Sequence, residues 1–255
     1  LQIAEKLLND CIDFGIIPFS KMARIAFIST AFLKSLVTQN YISQNEFDKF
    51  MNSLVTPLSK FQQDLILLST DEITKSNFLK TYGHLRPGTY DITINRYDKD
   101  NPFLNIITSS NFTKPKSFKF KIKNLNKILE KNNISIEQDK FYDFIINSIV
   151  MREELKFEFT HNLSDALELI AESSSELGFF RDDVSYLQIR TILSSYKKFS
   201  KNNLKLLLKK QISKNKSKFQ INTKITLPSI ISSERDFEII QYHIAKPNFI
   251  TEKTI

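Results

Sequence analysis

The sequence of 255 residues contains one cysteine, four glycines and no tryptophan. A single cysteine, Cys11, excludes an internal disulfide and is typical of a reducing compartment. So few glycines disfavour a strand-rich fold, which needs many turns, and leave no glycine-rich phosphate loop. The three histidines, His84, His161 and His243, are too widely spaced for a standard zinc motif. We therefore expect no catalytic residues and no metal site within this chain.

Long apolar runs are also missing. The closest is Ile25–Phe32, which Ser29 and Thr30 interrupt, and it is shorter than the roughly 18 residues needed to cross a membrane. We predict a buried helix there and no membrane contact. The chain starts at Leu1 without a signal peptide, so we expect a piece of a longer cytoplasmic polypeptide.

Helical periodicity fills most of the chain. Apolar residues recur at helical spacing between the glycines, which predicts a mainly α fold, a multi-helix bundle with a non-regular Pro/Gly loop region and a short β element. A first helix is expected to stop at Gly15, and a second to bury a stripe that includes Ile25 and Ile28. Ser43 and Glu46 form a capping-box pattern that predicts the start of a third helix, kinked rather than ended by Pro57.

Four segments follow from this pattern. We predict an N-terminal helical bundle part over residues 1–82 and a loop or extended insertion over 83–124. A second helical part over 125–228 is expected to pack on the same core, and residues 229–255 to form a linker. Within the insertion, lysines alternate with apolar residues from Phe118 to Lys123, which predicts an edge strand or an extended arm. A long helix is expected from about Ile136 to Leu177, ended by Gly178.

Two further groups of reactive residues receive structural interpretations. Cys11 lies in an apolar helix, which favours a small packed side chain over a reactive thiol. Glu153 and Glu154 are adjacent, so on a helix they diverge by about 100° and cannot act as a paired acid and base. We expect them to lie on the helix surface or to form ion pairs.

The segment Tyr82–Asp91, which reads YGHLRPGTYD, is the most informative motif. Gly83 is placed to end a helix, and Pro87-Gly88 predicts a sharp turn with positive φ at Gly88. Imidazole, guanidinium and carboxylate groups on a fixed turn can bind an anion or a polar ligand. The alternative, that Arg86 and Asp91 pair only to hold the loop against the bundle, stays open.

This motif, followed by Arg96, Tyr97 and Asp98, resembles the YGHRGPGE-D element of phosphoenolpyruvate-synthase-like, pyruvate-phosphate-dikinase-like and rifampicin-phosphotransferase-like enzymes. Other segments similar to that family occur in its order: Arg152-Glu153 on a long helix, Leu163–Ile170, Asp183–Leu187 and Pro247–Thr251. The family turn often reads Arg-Gly-Pro-Gly-Glu, whereas Leu85–Thr89 has the arginine shifted by one position and no glutamate.

The resemblance implies a central helical fragment of a phosphotransferase that is inactive alone. ATP and Mg²⁺ would bind the full-length protein, and the partners would be an ATP-grasp domain and a swivelling phosphohistidine domain of the same polypeptide, reached through the linker. The phosphoryl acceptor is unknown. The implied substrate-binding residues are His84, Arg86, Tyr90 and Asp91. They would contact the acceptor or dock the swivelling domain, with Arg86 contacting phosphate and His84 exchanging a proton with the acceptor.

A lysine-rich stretch supports a different function. Lys197–Lys224 contains ten lysines and no acidic residue. Its leucines predict a helix with one apolar face and a solvated lysine face, and we favour that interpretation over a nucleic-acid partner. The alternative function is a non-enzymatic basic helical module that binds nucleic acid through these lysines. As a third reading, the whole segment is a rigid spacer.

Overall fold

The computed structural model describes residues 1–88, 90–99, 118, 120–225 and 230–237. These residues form helices and connecting turns without a strand, so the predicted mainly α fold is confirmed. Phe118 and residues 120–123 are not part of a strand, so the predicted β element is wrong there. Thr89, Lys119 and residues 100–117, 226–229 and 238–255 lie outside the described residues. They include part of the predicted insertion and most of the predicted linker, with His243 and the Pro247–Thr251 segment.

The helices follow in chain order. They are α1 (Gln2–Asp10), a π-helical turn (Cys11–Ile16), α2 (Ile17–Thr38), α3 (Gln44–Ser53), α4 (Pro57–Ser69), α5 (Lys75–Tyr82), α6 (Leu125–Lys131), α7 (Gln138–Ser175), α8 (Arg181–Ser185), α9 (Ile189–Ser195), α10 (Lys201–Asn222) and a 3₁₀ turn (Glu234–Phe237).

Local capping signals set the ends of α3 and α4. Ser43 accepts a hydrogen bond from the Glu46 backbone N–H, and the Glu46 carboxylate accepts one from the Ser43 N–H, so the predicted capping box is confirmed. The expected kink at Pro57 is wrong. Thr56 caps a new helix there by a reciprocal pair of bonds with Ser59, because proline suits the first helical turn, where its missing N–H needs no partner.

The predicted helix stop at Gly15 is also wrong. α1 continues through the π-helical turn into α2 as one helix, Gln2–Thr38. A Cβ atom at Gly15 would lie 2.5 Å from the Cβ of Phe159, so this glycine permits close contact with α7 rather than ending a helix. Cys11 is buried beside it, and its thiol donates to the Phe159 carbonyl at 3.7 Å; burial raises the pKa of that thiol. The packed interpretation of Cys11 fits this environment.

The buried face of α2 differs from the predicted stripe. Ala26, Ser29, Leu33 and Leu36 are buried, whereas Ile25 and Ile28 are exposed. Ser29 and Ser148 share a 2.6 Å hydrogen bond, and Phe32 packs edge-on against Phe141 with ring centroids 5.7 Å apart, so both small and large residues of α2 face α7. Because Ile25 and Ile28 are exposed, the expectation of a buried helix at Ile25–Phe32 is wrong in part.

By length and composition alone, the helix Gln2–Thr38 is apolar enough to cross a membrane, and its most apolar 18 residues have a mean hydropathy of 1.4.

The chain divides into two compact units, Leu1–Ser173 and Ser174–Ile255. One core of the first unit lies between α2, α3, α6 and the first half of α7. A second, smaller core lies between α4, α5 and the segment that follows α5. The buried members of these two cores are Leu33, Leu36, Ile42, Phe50, Leu54, Phe120, Ile122, Leu125, Leu129, Phe141, Ile145 and Ile149 in the first, and Leu65, Phe78, Tyr82 and Tyr97 in the second.

The second unit carries the excess positive charge of the protein. Residues 1–173 contain 21 basic and 21 acidic residues, whereas residues 174–255 contain 15 basic and 7 acidic residues. Seven of these fifteen basic residues lie on α10, which buries Leu204, Leu208 and Ile212 along one face. From Ser213 on, the helix is largely exposed; Asn215 ties it to this unit by donating to the Tyr186 carbonyl at 2.7 Å.

Candidate functional site

The segment from Gly83 to Asp98 forms a loop closed at its base by backbone hydrogen bonds, which we call the anchored loop. Tyr97 N–H donates to the Leu85 carbonyl at 2.8 Å, and Asp98 N–H donates to the Gly83 carbonyl at 3.1 Å. α5 ends before Gly83, as predicted, and a Cβ atom there would lie 2.9 Å from the Cβ of Asp98. The predicted turn is confirmed at Gly88, whose φ is +69°.

Arg86 fixes this loop to α7. Its side chain is 1% exposed and forms an ion pair with Glu168 at 2.9 Å. The same guanidinium donates to the hydroxyl of Ser164 at 2.9 Å, and to the backbone carbonyls of Asp91 and Ile94 at 3.2 Å each. Arg86 is therefore a buried structural cation that joins two parts of the loop to one helix.

Arg96 provides a second attachment about one helical turn earlier on α7. It contacts the carboxylate of Asp165 on α7 and donates to both carboxylate oxygens of Asp98 in the loop. Ser164, the residue before Asp165, donates to the carbonyl of His84 at 2.5 Å. Two arginines and one serine thus hold the anchored loop along a single face of α7.

A stacked histidine pair lies between these attachments. The rings of His84 and His161 have centroids 3.2 Å apart, and Phe157 meets both edge-on. Neither ring nitrogen of His84 has a hydrogen-bond partner among the described residues. Burial lowers the pKa of His84 to about 3, aided by the nearby His161 and Arg96, while the backbone of Thr81 acts in the opposite direction. Burial also lowers the pKa of His161, so both rings are neutral at pH 7.

A cavity of about 240 Å³ lies beside the anchored loop, between α4, the loop and α7. We call it the loop cavity. Aromatic and aliphatic side chains form most of its wall, and Glu153 and Lys156 are the charged residues that α7 contributes. The lining residues are Pro57, Leu58, Phe61, Leu85, Arg86, Tyr97, Glu153, Lys156, Phe157 and Thr160.

Comparisons with protein-family models, with curated proteins and with solved structures find no match.

The four predicted site residues have different environments. His84 and Arg86 are buried against α7, whereas Tyr90 is 59% exposed and Asp91 is exposed. The Asp91 carboxylate accepts hydrogen bonds from the Thr93 hydroxyl and N–H at 2.6 and 2.9 Å, and these lower the pKa of Asp91. Arg86 contacts the carbonyl of Asp91 and not its carboxylate, so the two residues are joined, though without the side-chain ion pair considered above.

Sequence reasoning missed the α7 partners of the loop. His161, Asp165 and Glu168 recur at intervals of four and three residues, which places them on one face of a helix. That spacing was the available signal, but nothing local connects it to a loop some 80 residues earlier. Among the described residues, no group of three or more His, Cys, Asp or Glu side chains is arranged to hold a metal ion.

The adjacent glutamates on α7 form ion pairs in opposite directions. Glu153 accepts a hydrogen bond from Arg152 at 2.7 Å, and Glu154 lies 3.5 Å from Lys60 on α4. The expectation of surface or ion-pairing roles is confirmed. Lys60 and Glu154 also line a second cavity of about 520 Å³, and the charge of each is balanced there by their mutual ion pair.

The first prediction concerns the Arg86–Glu168 pair. Arg86→Met is expected to lower the free energy of unfolding by about 3–5 kcal/mol, because it leaves the Glu168 carboxylate buried without its cation. The double variant Arg86→Met/Glu168→Leu should be destabilised by less than the sum of the two single changes. Urea unfolding followed by circular dichroism measures all three.

Lys140→Met is the matched control, since Lys140 lies in the first turn of the same helix and pairs at 3.6 Å with the exposed Glu137, which precedes that helix; it should cost less than about 1 kcal/mol. If Arg86→Met costs no more than this control, the anchoring role is refuted.

The second prediction concerns pH. His84 binds a proton near pH 6.5 in the unfolded chain but only near pH 3 in the folded protein. Between these values the unfolded state holds more protons, so stability falls as the pH falls, by at most about 1.4 kcal/mol per pH unit for this residue. His84→Phe retains a ring against Phe157 and should flatten the decline measured by urea unfolding between about pH 7 and 4.5. Tyr41→Phe, at an exposed site, should leave this pH dependence of stability unchanged. If stability falls with pH equally in His84→Phe and in the wild type, His84 is not the residue responsible.

Proposed function

We propose that this chain is the acceptor-binding or domain-docking part of an ATP-dependent phosphotransferase of the phosphoenolpyruvate-synthase-like type, and that it is inactive alone. One observation carries the proposal. Arg86 of the YGHLRPGTYD segment, the more specific of the family-like elements, and Glu153 of the Arg-Glu pair both line the loop cavity. Two segments that resemble the family therefore meet at one cavity, as parts of a single site would.

In this proposal the remaining parts belong to the same polypeptide. An ATP-grasp domain would bind ATP and Mg²⁺, and a swivelling domain would carry the phosphohistidine. The N–P bond of the phosphohistidine would break, an O–P bond would form to the acceptor hydroxyl, and the proton of that hydroxyl would pass to the departing histidine nitrogen. The loop cavity supplies a fixed, largely apolar position for the acceptor, and holding the two reactants in line is the main requirement of phosphoryl transfer.

The residues around the cavity fit a positioning role better than a chemical one. His84 is 4% exposed, and its low pKa makes it a poor proton acceptor at pH 7, since a general base works best with a pKa near the working pH. Arg86 donates its hydrogen bonds to protein groups. If the swivelling domain docks here instead, the same cavity would receive a side chain of that domain.

The test uses the isolated chain and the full-length protein side by side. The chain alone should hydrolyse no ATP above the buffer rate. The full-length protein, incubated with radiolabelled ATP and Mg²⁺, should acquire a label that is stable to base and lost in acid, as a phosphohistidine is. ATP turnover by the isolated chain, or a full-length protein that never acquires such a label, would refute the proposal.

A second candidate function is nucleic-acid binding through Lys197–Lys224. The observation that favours it is the charge division: the first unit is neutral overall, and ten cations lie in 28 residues of the second. The lysines between Lys198 and Lys218 are exposed. Among the described residues, Lys209, Lys210 and Lys214 form no ion pair with an acidic side chain. A surface of this kind releases counterions when it binds phosphates.

Fluorescence anisotropy with a labelled single-stranded oligonucleotide of mixed sequence tests this function. Four phosphate contacts to a single strand would weaken binding about 50-fold between about 50 and 200 mM salt. Changing Lys209, Lys210 and Lys214 to Gln should reduce affinity at low salt, whereas the same change at Lys21, Lys34 and Lys49, exposed in the first unit, should not. Absence of binding at low salt, or equal effects of the two triple variants, would exclude it.

A further inference from the structure

The size of the loop cavity indicates what can fit in it. Its volume is about 240 Å³, above the roughly 150 Å³ of an engineered cavity that takes up benzene. One aromatic ring with a few substituent atoms therefore fits.

The wall of the cavity favours an aromatic ring. Phe61 and Tyr97 have ring centroids 6.0 Å apart and planes tilted by 21°, and Phe157 contributes a third ring. Tyr97 is held in place through its N–H bond to the Leu85 carbonyl at 2.8 Å. Offset or edge contacts with such rings add about 0.5–1.5 kcal/mol to the burial of an aromatic ligand.

The charges at the cavity indicate the sign of the ligand. Arg86 is paired with Glu168, and Glu153 is paired with Arg152. Lys156 is exposed, lies next to Phe157 on α7, and forms no ion pair with any described residue. Of the three charged residues that line the cavity, Lys156 is the one whose charge the described part of the protein leaves available for a ligand.

We infer that the loop cavity binds a single-ring aromatic acid, with its ring against the wall that Phe61, Tyr97 and Phe157 form and its anionic group at the ammonium of Lys156. One part of the inference rests on the proposed function, namely that aromatic acids of this class are the phosphoryl acceptors. Binding itself requires nothing beyond the described residues of the first unit.

Calorimetry and ligand-observed NMR on the 255-residue chain test the inference with three probes. Benzoate supplies ring and charge, benzyl alcohol the ring alone, and acetate the charge alone. Benzoate should bind with a Kd of about 0.1–10 mM, as expected for a ligand of so few atoms. Benzyl alcohol should bind more weakly, and acetate should not bind.

Variants separate the ring contribution from the charge contribution. Lys156→Met keeps most of the aliphatic stem and should weaken benzoate about fivefold without changing benzyl alcohol. Lys140→Met, on the same helix outside the cavity, should change neither. Leu58→Glu adds a negative charge at a lining residue that is 66% exposed, so it should fold normally and weaken benzoate.

Three outcomes would overturn the inference: no benzoate binding at concentrations up to about 10 mM, equal affinity of Lys156→Met and wild type for benzoate, or acetate binding as tight as benzoate. Phosphohistidine formation by the full-length protein is read out separately. If the full-length protein forms phosphohistidine but the 255-residue chain binds no benzoate, only the inference is refuted. If the chain binds benzoate but the full-length protein forms no phosphohistidine, only the proposed function is refuted.

Discussion

The buried ion pair between Arg86 and Glu168 is the interaction on which the site depends. A loop without regular secondary structure leaves backbone carbonyls without partners, and burying them unpaired is costly. Arg86 supplies donors to two such carbonyls while its charge is balanced by Glu168. Burying both charges has a large desolvation cost, so the pair contributes a fixed loop position more than net stability. Removing either partner would leave a buried charge and free the loop.

The loop cavity follows from that attachment. The anchored loop is fixed to α7 at Ser164, about one helical turn after Thr160, which lines the loop cavity. The space between the loop, α7 and α4 at this point is the loop cavity. Pro57 starts α4 at this point, and its capping box sets the direction of the helix. A cavity made by three separately fixed elements is preformed, which lowers the entropy that a ligand would lose on binding.

Local signals in the sequence predicted local structure. The capping box at Ser43, the turn at Gly88 and the long helix α7 depend on residues close in sequence, and all three were predictable. The buried face of α2 was not, because apolar residues occupy nearly every side of that helix, and contacts with distant α7 residues, such as Ser29 with Ser148 and Phe32 with Phe141, choose among them. The role of Gly15 and the Arg86–Glu168 pair depend on α7 residues that are 82 or more positions away, and no spacing rule for a single sequence contains that information.

These contacts change what the YGHLRPGTYD segment implies for chemistry. A phosphate-binding arginine and a proton-accepting histidine were the roles that the resemblance suggested, yet Arg86 is engaged by protein groups and His84 is a neutral ring packed on another. Phosphoryl transfer passes through a loose transition state in which the nucleophile needs little help from a base. A segment that fixes one wall of an acceptor site, without exchanging protons, is therefore compatible with such a reaction. The anchored loop contributes geometry, and the reacting groups would come from the acceptor and from the rest of the polypeptide.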